Sequence, residues 1–426
     1  MKIRQRLALQ VVRVYVHGWS AWEKLRYGFA FNPLSHEVCS NPYPVHNQMR
    51  EKRPIHYSKL WNGYWVSRFD WVQELLKDKR FGADVRQYPE RVKRQTQFMS
   101  KKRRELFDNP SMLDMDPPEH TRVRKLAQQG FVHKFIQSLE PRIREVVDEC
   151  LESHSNEPVI DFVESLAKPL PVIVIAEMLG LPKEDHDQFC HWSEELMLAS
   201  GPTVEADLIE RSIAANYALI EYFKEMSEKK RVNPGDDLLS ALINAEDEGD
   251  RLTGTELYNT CVLLLLAGHE TTTRLISNGL YLLMQHPEEL QKLRDNRELI
   301  PNAIEEMLRY EPPVQATRRF AMEDVEFHGT QFHRGDLIFV SIPAANRDPD
   351  AMVSPEEFHV DRQDPKQVSF GFGIHHCIGA SLARLEAKVT FEQILDRFDE
   401  IELAETPVWG DNPFFRGVEA LKLSVK

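Results

Sequence analysis

The stretch Phe370-Gly371-Phe372-Gly373-Ile374-His375-His376-Cys377-Ile378-Gly379 decides the reading of this chain. Its glycines permit tight turns and close approach of the backbone to a flat ligand. Cys377 falls just ahead of residues 379–397, whose apolar spacing reads as a helix. A helix N-terminus supplies partial positive charge and free N–H groups, which lower a thiol pKa and favour the thiolate, the form that binds metal. His375, two residues earlier, could bond a nearby anion. A lone cysteine in a turn is more often an inert apolar filler, so the rest of the chain has to arbitrate.

The chain has 426 residues, 42% hydrophobic and 28% charged, which suits a globular protein with a sizeable core. No Pro/Gly/Ser-rich linker, low-complexity tract or repeat divides it, so one body over residues 31–426 is the expectation, with residues 1–30 as an N-terminal extension. A net charge of −14 argues against a general nucleic-acid binder, whose affinity rests on neutralising phosphates. Five scattered cysteines without a CxxC speak against a disulfide framework or zinc site and for the reducing cytoplasm. The N-terminus, MKIRQRLALQVVRVYVHGW, is too interrupted to span a bilayer. It reads as a short amphipathic helix docked on the protein's own surface, with contact to an anionic membrane the less favoured reading.

Periodicity predicts helices over 138–155, 158–180, 205–229, 255–285, 287–296, 299–310 and 379–397. Short strands are predicted at 54–58 and 63–67, then at 325–328, 331–333, 337–341 and 420–425. The fold class that follows is mainly α with a small β-rich lobe (α+β). Thr253 and Glu256 form a capping box for the longest helix, and Pro287 ends it. About 30 residues at 1.5 Å each make it roughly 45 Å long. With an apolar centre it must cross the interior. Its middle nonetheless carries Gly268, His269, Glu270 and three threonines, which are poor helix formers and costly to bury without partners. Alone, this reads equally well as a satisfied polar kink.

The segment at 370–379 resembles the haem-binding signature of the cytochrome P450 family, F-x-x-G-x-H-x-C-x-G, at Phe370, Gly373, His375, Cys377 and Gly379. Further matches follow in the family's order. Ala267-Gly268-His269-Glu270-Thr271 resembles its oxygen-activation motif, and Glu306 with Arg309 resembles its E-x-x-R pair. Phe358 to Arg362 resembles the segment that completes a buried Glu–Arg–Arg network, here Glu306, Arg309 and Arg362. Asp116-Pro117-Pro118-Glu119-His120 with Arg124, and the segment 313–319 ending in Arg319, resemble the parts that hold haem propionates. The likeness runs from about residue 35 to the end.

The resemblance implies the cytochrome P450 fold, with the long central helix over the haem, and haem b (iron protoporphyrin IX) as cofactor, with Cys377 as the iron ligand. His120, Arg124, Arg319 and His375 would be the propionate donors, and Ala267, Phe370 and Gly379 would lie against the ring. It implies an enzyme, a monooxygenase that inserts one atom of O2 into an organic substrate by hydroxylation, or by O-dealkylation at a methyl ether. In it Thr271 and Glu270 supply the protons that oxygen cleavage consumes. Rival readings are a haem-thiolate peroxygenase or isomerase, and a haem-binding sensor without turnover. No flavin or iron–sulfur module is fused, so electrons are expected from a separate ferredoxin and its NAD(P)H-dependent reductase. Arg122, Lys125, Lys134, Arg384 and Lys388 would steer an acidic partner to the thiolate side. The expected pocket residues, by the same resemblance, are Leu263, Leu266, Val314 and Phe414. The basic stretch 84–105, with Arg86, Arg91 and Arg94, would attract an anionic substrate such as a fatty acid. A monomer is expected.

Overall fold

The computed structural model describes residues 16, 18–154, 157–197, 205–247 and 249–426. Five helices build the site: α1 (Glu119–Gln128), α2 (Ala206–Val232), α3 (Gly254–Gln285), α4 (Ile300–Tyr310) and α5 (Ala380–Arg397). With 32 residues, α3 runs about 48 Å. The capping box forms: Glu256 N donates to Thr253 Oγ1 at 3.3 Å, and Thr253 N donates to the Glu256 carboxylate at 2.8 Å. At the other end the chain leaves the helix at His286, ahead of Pro287.

The apolar centre of α3 lies in the largest core cluster, together with the helix Pro169–Met178, α4 and α5. Close approach of the three numbered helices depends on Gly279. A Cβ there would stand 2.6 Å from Met307 Sδ on α4 and 2.7 Å from the Phe391 ring on α5.

The β lobe is a five-stranded sheet of β1 (Ile55–Ser58), β2 (Gly63–Val66), β3 (Phe81–Gly82), β4 (Ala316–Ala321) and β5 (Leu337–Ser341), in the order β1-β2-β5-β4-β3. Only β2 and β5 pair in parallel, with Tyr64 opposite Ile338 and Val66 opposite Val340. β4 pairs antiparallel with β5, Arg319 opposite Ile338, and so carries two arginines along the lobe's edge toward the helices.

Two expectations about elements change. Residues 158–180 are not one helix: Val159–Asp161 is a strand pairing with Lys422–Ser424 near the C-terminus, and helical backbone begins only at Val163. Apolar residues dominate the run on both sides of Asp161, so periodicity could not register a partner some 260 positions away. Strand β4 was absent from the sequence reading because Arg318 and Arg319 interrupt its apolar alternation. The expected N-terminal helix falls on residues 1–30, of which 1–15 and 17 lie outside the described residues; helix is present over 18–27. Among the described residues no helix is long and apolar enough to cross a membrane.

Candidate active site

The loop from Phe370 to Gly379 is folded by its own backbone. Cys377 N donates to Phe370 O at 2.8 Å, Gly371 N to Val368 O at 2.8 Å, and His376 N to Gly373 O at 3.1 Å. Gly373 takes a positive φ of 70°, and a Cβ there would sit 2.4 Å from the Leu76 carbonyl oxygen. Only glycine fits that turn. Gly379 caps α5, and the arm of Arg384 lays its guanidinium 4.4 Å from the centre of the Phe370 ring.

Cys377 faces a cavity of about 260 Å³ between this loop and α3. Across from it stand Leu263, Ala267, Gly268 and Thr271 of α3, with Val314, Thr317 and Arg319 along one edge. The thiol is open on its cavity side and enclosed elsewhere. Burial pushes its pKa up, against the pull of the Gly379 and Ala380 N–H groups and of Arg124 and Arg384. The helix N-terminus therefore acts as expected but does not win. A thiolate at this depth requires a cation beside it.

The opposite problem arises at the cavity's rim. His120 and Arg124 on α1, Arg319 on β4 and His375 in the loop gather there, with the two imidazoles 4.1 Å apart between centroids. Neither ring nitrogen of His120 has a partner, nor does His375 Nε2, although all three are buried. Burial and the neighbouring cations lower His375 to about 3 and His120 to about 4, and burial lowers Arg319 to about 10. Arg124 reaches only a carbonyl, that of His376, at 2.6 Å. Four basic groups, two of them buried, gather here, and the nearest acids are already taken, Asp116 by the N–H groups of Ala83 and Asp84 and by Gln87, Asp114 by Arg318; together the four form a receptor for anions. A flat group with two carboxylates and a central cation fits both needs, thiol and rim together.

Behind the loop, Glu306, Arg309 and Arg362 meet. Arg309 donates to both Glu306 oxygens at 2.6 and 2.7 Å, and Arg362 Nε donates to Oε1 at 2.9 Å. The remaining guanidinium N–H groups of Arg309 bond the carbonyls of Asn346, Pro355 and Glu357. Side chains of Glu306 and Arg309 are wholly buried. The network ties α4 to the segment that leads into the loop.

The polar centre of α3 divides in two. Thr271 turns to the cavity and its Oγ1 donates to Ala267 O at 2.7 Å. Glu270 turns away and is held by Arg274 one turn on, whose other neighbour is the half-exposed Glu419 at 3.7 Å. It does not line the cavity. Another carboxyl does: Glu386 of α5, fully buried, with Oε2 unpartnered and its pKa pushed up to about 8 by burial. The sequence reading passed over it, although an acid amid Leu382, Leu385, Ala387 and Val389 was a visible anomaly on a core helix.

Of the expected pocket residues, Leu263 and Val314 line this cavity. Leu266 does not; it lines a second cavity of about 530 Å³ that shares Leu263 with the first. Phe414 is a correction: its ring packs against Trp61 at 5.4 Å and Phe339 at 6.4 Å, in the aromatic cluster of the β lobe. The expected steering cations are largely matched by acids. Arg122 pairs with Glu256 and Asp250, Lys125 with Asp247, Arg384 with Glu305, and Lys388 with Glu140 and Glu392. In the basic stretch, Arg86 is bonded by Asp84 and Glu119, and Arg91 donates to the Gly335 carbonyl. Neither is left for a substrate carboxylate, whereas Arg94 is exposed.

Comparison with known proteins gives a consistent picture. A family model described as Cytochrome P450 matches residues 83–409. The chain is 38% identical to the polyketide biosynthesis cytochrome P450 PksS of Bacillus subtilis, over 93% of this chain and 98% of that protein. It is 37% identical to the cytochrome P450 monooxygenase PikC of Streptomyces venezuelae, over 92% of each. The solved structure of PksS superposes with a TM-score of 0.85, covering 93% of this chain and 100% of that one at 37% identity. That of P450BioI, in complex with an acyl carrier protein ligated to hexadec-9Z-enoic acid, superposes with a TM-score of 0.84, covering 92% and 99% at 33% identity.

Proposed function

The chain belongs to the cytochrome P450 family and is a monooxygenase carrying haem b through a cysteine thiolate, and from that premise we propose that Cys377 is the iron ligand and that the enzyme oxygenates an apolar substrate lying under α3. The observation that carries the assignment is the pairing of a cavity-facing thiol with a basic rim of His120, Arg124, Arg319 and His375, whose two imidazoles keep buried nitrogens without partners. When bound, the haem iron with its thiolate supplies the electron push that favours O–O cleavage. The remaining work belongs to the chain. His120, Arg124, Arg319 and His375 bind the two propionates. Glu306, Arg309 and Arg362 hold the loop that presents the thiol.

Proton delivery falls to the helix wall. One oxygen atom enters the substrate and the other leaves as water, which consumes two electrons and two protons. Thr271 Oγ1 releases Ala267 O to donate toward the cavity, and Gly268 leaves the room it needs. Glu270, next in the chain to Thr271 and paired with Arg274, is the carboxylate that would pass protons to that wall on turning from Arg274. The electrons come from a separate ferredoxin and its reductase. The substrate is a fatty acyl chain or a similarly lipophilic molecule. Support comes from the leucine and valine walls of the cavity and from the relative whose solved structure holds a hexadec-9Z-enoic acid-ligated carrier.

The test has two arms. Reduced protein under carbon monoxide should show the long-wavelength Soret band of a thiolate-ligated complex, absent in Cys377→Ala. Substrate-dependent NADPH consumption with a surrogate ferredoxin system should then yield hydroxylated product. A carbon monoxide band without the thiolate displacement overturns the ligand assignment, and a normal band without turnover on any lipophilic substrate overturns the oxygenase reading.

A further inference from the structure

Residues 91–104 read Arg-Val-Lys-Arg-Gln-Thr-Gln-Phe-Met-Ser-Lys-Lys-Arg-Arg, seven cations without one acid in a chain of net charge −14. They occupy two short helices, Pro89–Thr96 and Lys101–Asp108, joined at Phe98. Arg91 and Arg104 serve the fold, bonding Gly335 O in one case and Asp108 and Thr96 in the other. Lys93, Arg94, Lys101 and Arg103 are exposed, and among the described residues none of them makes an ion pair. Lys102 lies over the Tyr217 ring of α2. At the junction Phe98 is 91% exposed. This departs from the thiolate side, where most cations are matched by acids.

The patch borders an opening. Gln95, Met99 and Arg103 line the second cavity, which shares Leu263 as a lining residue with the first. Resting on the proposed oxygenase reading, we infer that the outer face of residues 91–104 docks an acidic protein that presents the substrate at this mouth. The direction of the cations decides the occupant. A small carboxylate would need a free cation pointing inward, and only Arg103 borders the cavity without an acid. Lys93, Arg94 and Lys101 point outward, spread over two helices, as suits an acidic helix or loop of a partner. A bilayer would need a broader apolar element than Phe98 alone. Nucleic acid is disfavoured by the acidity of the remaining surface. Phe98 supplies the single apolar anchor around which such a charged contact can close.

The probe is a fluorescently labelled acyl carrier protein loaded with hexadecanoate, titrated into the full-length haem-loaded enzyme and read by anisotropy. The variant is Lys93→Glu/Arg94→Glu/Lys101→Glu. Expected are a dissociation constant at least about tenfold weaker in the variant and a wild-type affinity that falls as salt rises from about 50 to 300 mM. The spin-state titration with free hexadecanoic acid should be the same in both proteins. Unchanged carrier affinity in the variant overturns the inference. So does an equal loss for the free acid, which would make the patch a carboxylate attractor. So does wild-type protein that ignores the carrier but sediments with phosphatidylglycerol vesicles. Anisotropy reads docking whether or not the thiolate band forms, so this inference and the oxygenase reading fail separately.

Discussion

Two carboxylates near α3 have opposite environments, and the difference is measurable. Glu386 is buried without a partner and its pKa is pushed up to about 8, whereas Glu270 has Arg274 beside it. Between the ordinary glutamate value and about 8 the native state holds a proton on Glu386 that the unfolded chain has lost. Native protein therefore binds more protons in that window, and its stability falls as pH rises through it, at up to about 1.4 kcal/mol per unit. Glu386→Gln should remove this slope. Urea midpoints at pH 5 and pH 9 should show the variant gaining on wild type toward pH 9; parallel midpoints would mean the carboxyl ionises normally. Thr271→Ala tests the other side of the helix wall. Its hydroxyl lines the cavity on the helix wall, so NADPH consumption should persist while product per NADPH falls about tenfold or more and hydrogen peroxide appears. Undiminished coupling would remove Thr271 from the mechanism. The i,i+4 spacing of Glu270 and Arg274 and the apolar neighbours of Glu386 were visible in the chain, but which carboxylate faces the cavity was not, since that depends on which way a side chain leaves its helix.

At the level of elements, α4 and the 353–362 segment are held together by one buried acid. Removing it leaves Arg309, which has no exposed side-chain surface, as an uncompensated charge. Breaking such a pair typically costs about 3–5 kcal/mol. Glu306→Ala should thus lower the unfolding free energy of the haem-loaded protein, measured by urea titration, by an amount in that range and weaken retention of haem on gel filtration, because the loop that carries Cys377 follows directly. A stable variant that keeps its haem would show the network to be dispensable. Long-range consequences of this kind were partly readable: the spacing of Glu306 and Arg309 gave the local pair, and likeness to the family supplied Arg362. Helices α3, α4 and α5 were readable from apolar spacing because each buries one continuous stripe. Strand β4 was not, because the arginine that serves the cavity also breaks the alternation by which a strand is recognised.

Across the whole molecule, Leu263 lines both cavities, the one beside Arg103 and the one that holds the thiol. Leu263→Phe should fill the space between them. Long acyl substrates should lose affinity at least about tenfold by spin-state titration, while a small ligand such as imidazole binds as before and the carbon monoxide band stays unchanged. Equal affinity for long chains would show that substrate enters elsewhere.

The family and the cofactor were determined by the sequence alone, and Cys377 was singled out by it as the proposed ligand, because haem chemistry demands certain residue types at short, fixed spacings that survive in one dimension. Substrate walls were not. Leu266 and Phe414 are apolar residues in the right neighbourhoods, yet one lines the adjoining cavity and the other is taken by an aromatic cluster. Folding likewise decided which cations are free: Arg86 and Arg122 find acids, and among the described residues Lys93, Arg94 and Lys101 do not. Hydrophobicity and charge are carried by the residue, whereas the surface or partner that each one meets is set by packing between segments far apart in the chain. For that reason Cys377 could be read directly, and the path by which a substrate reaches it could not.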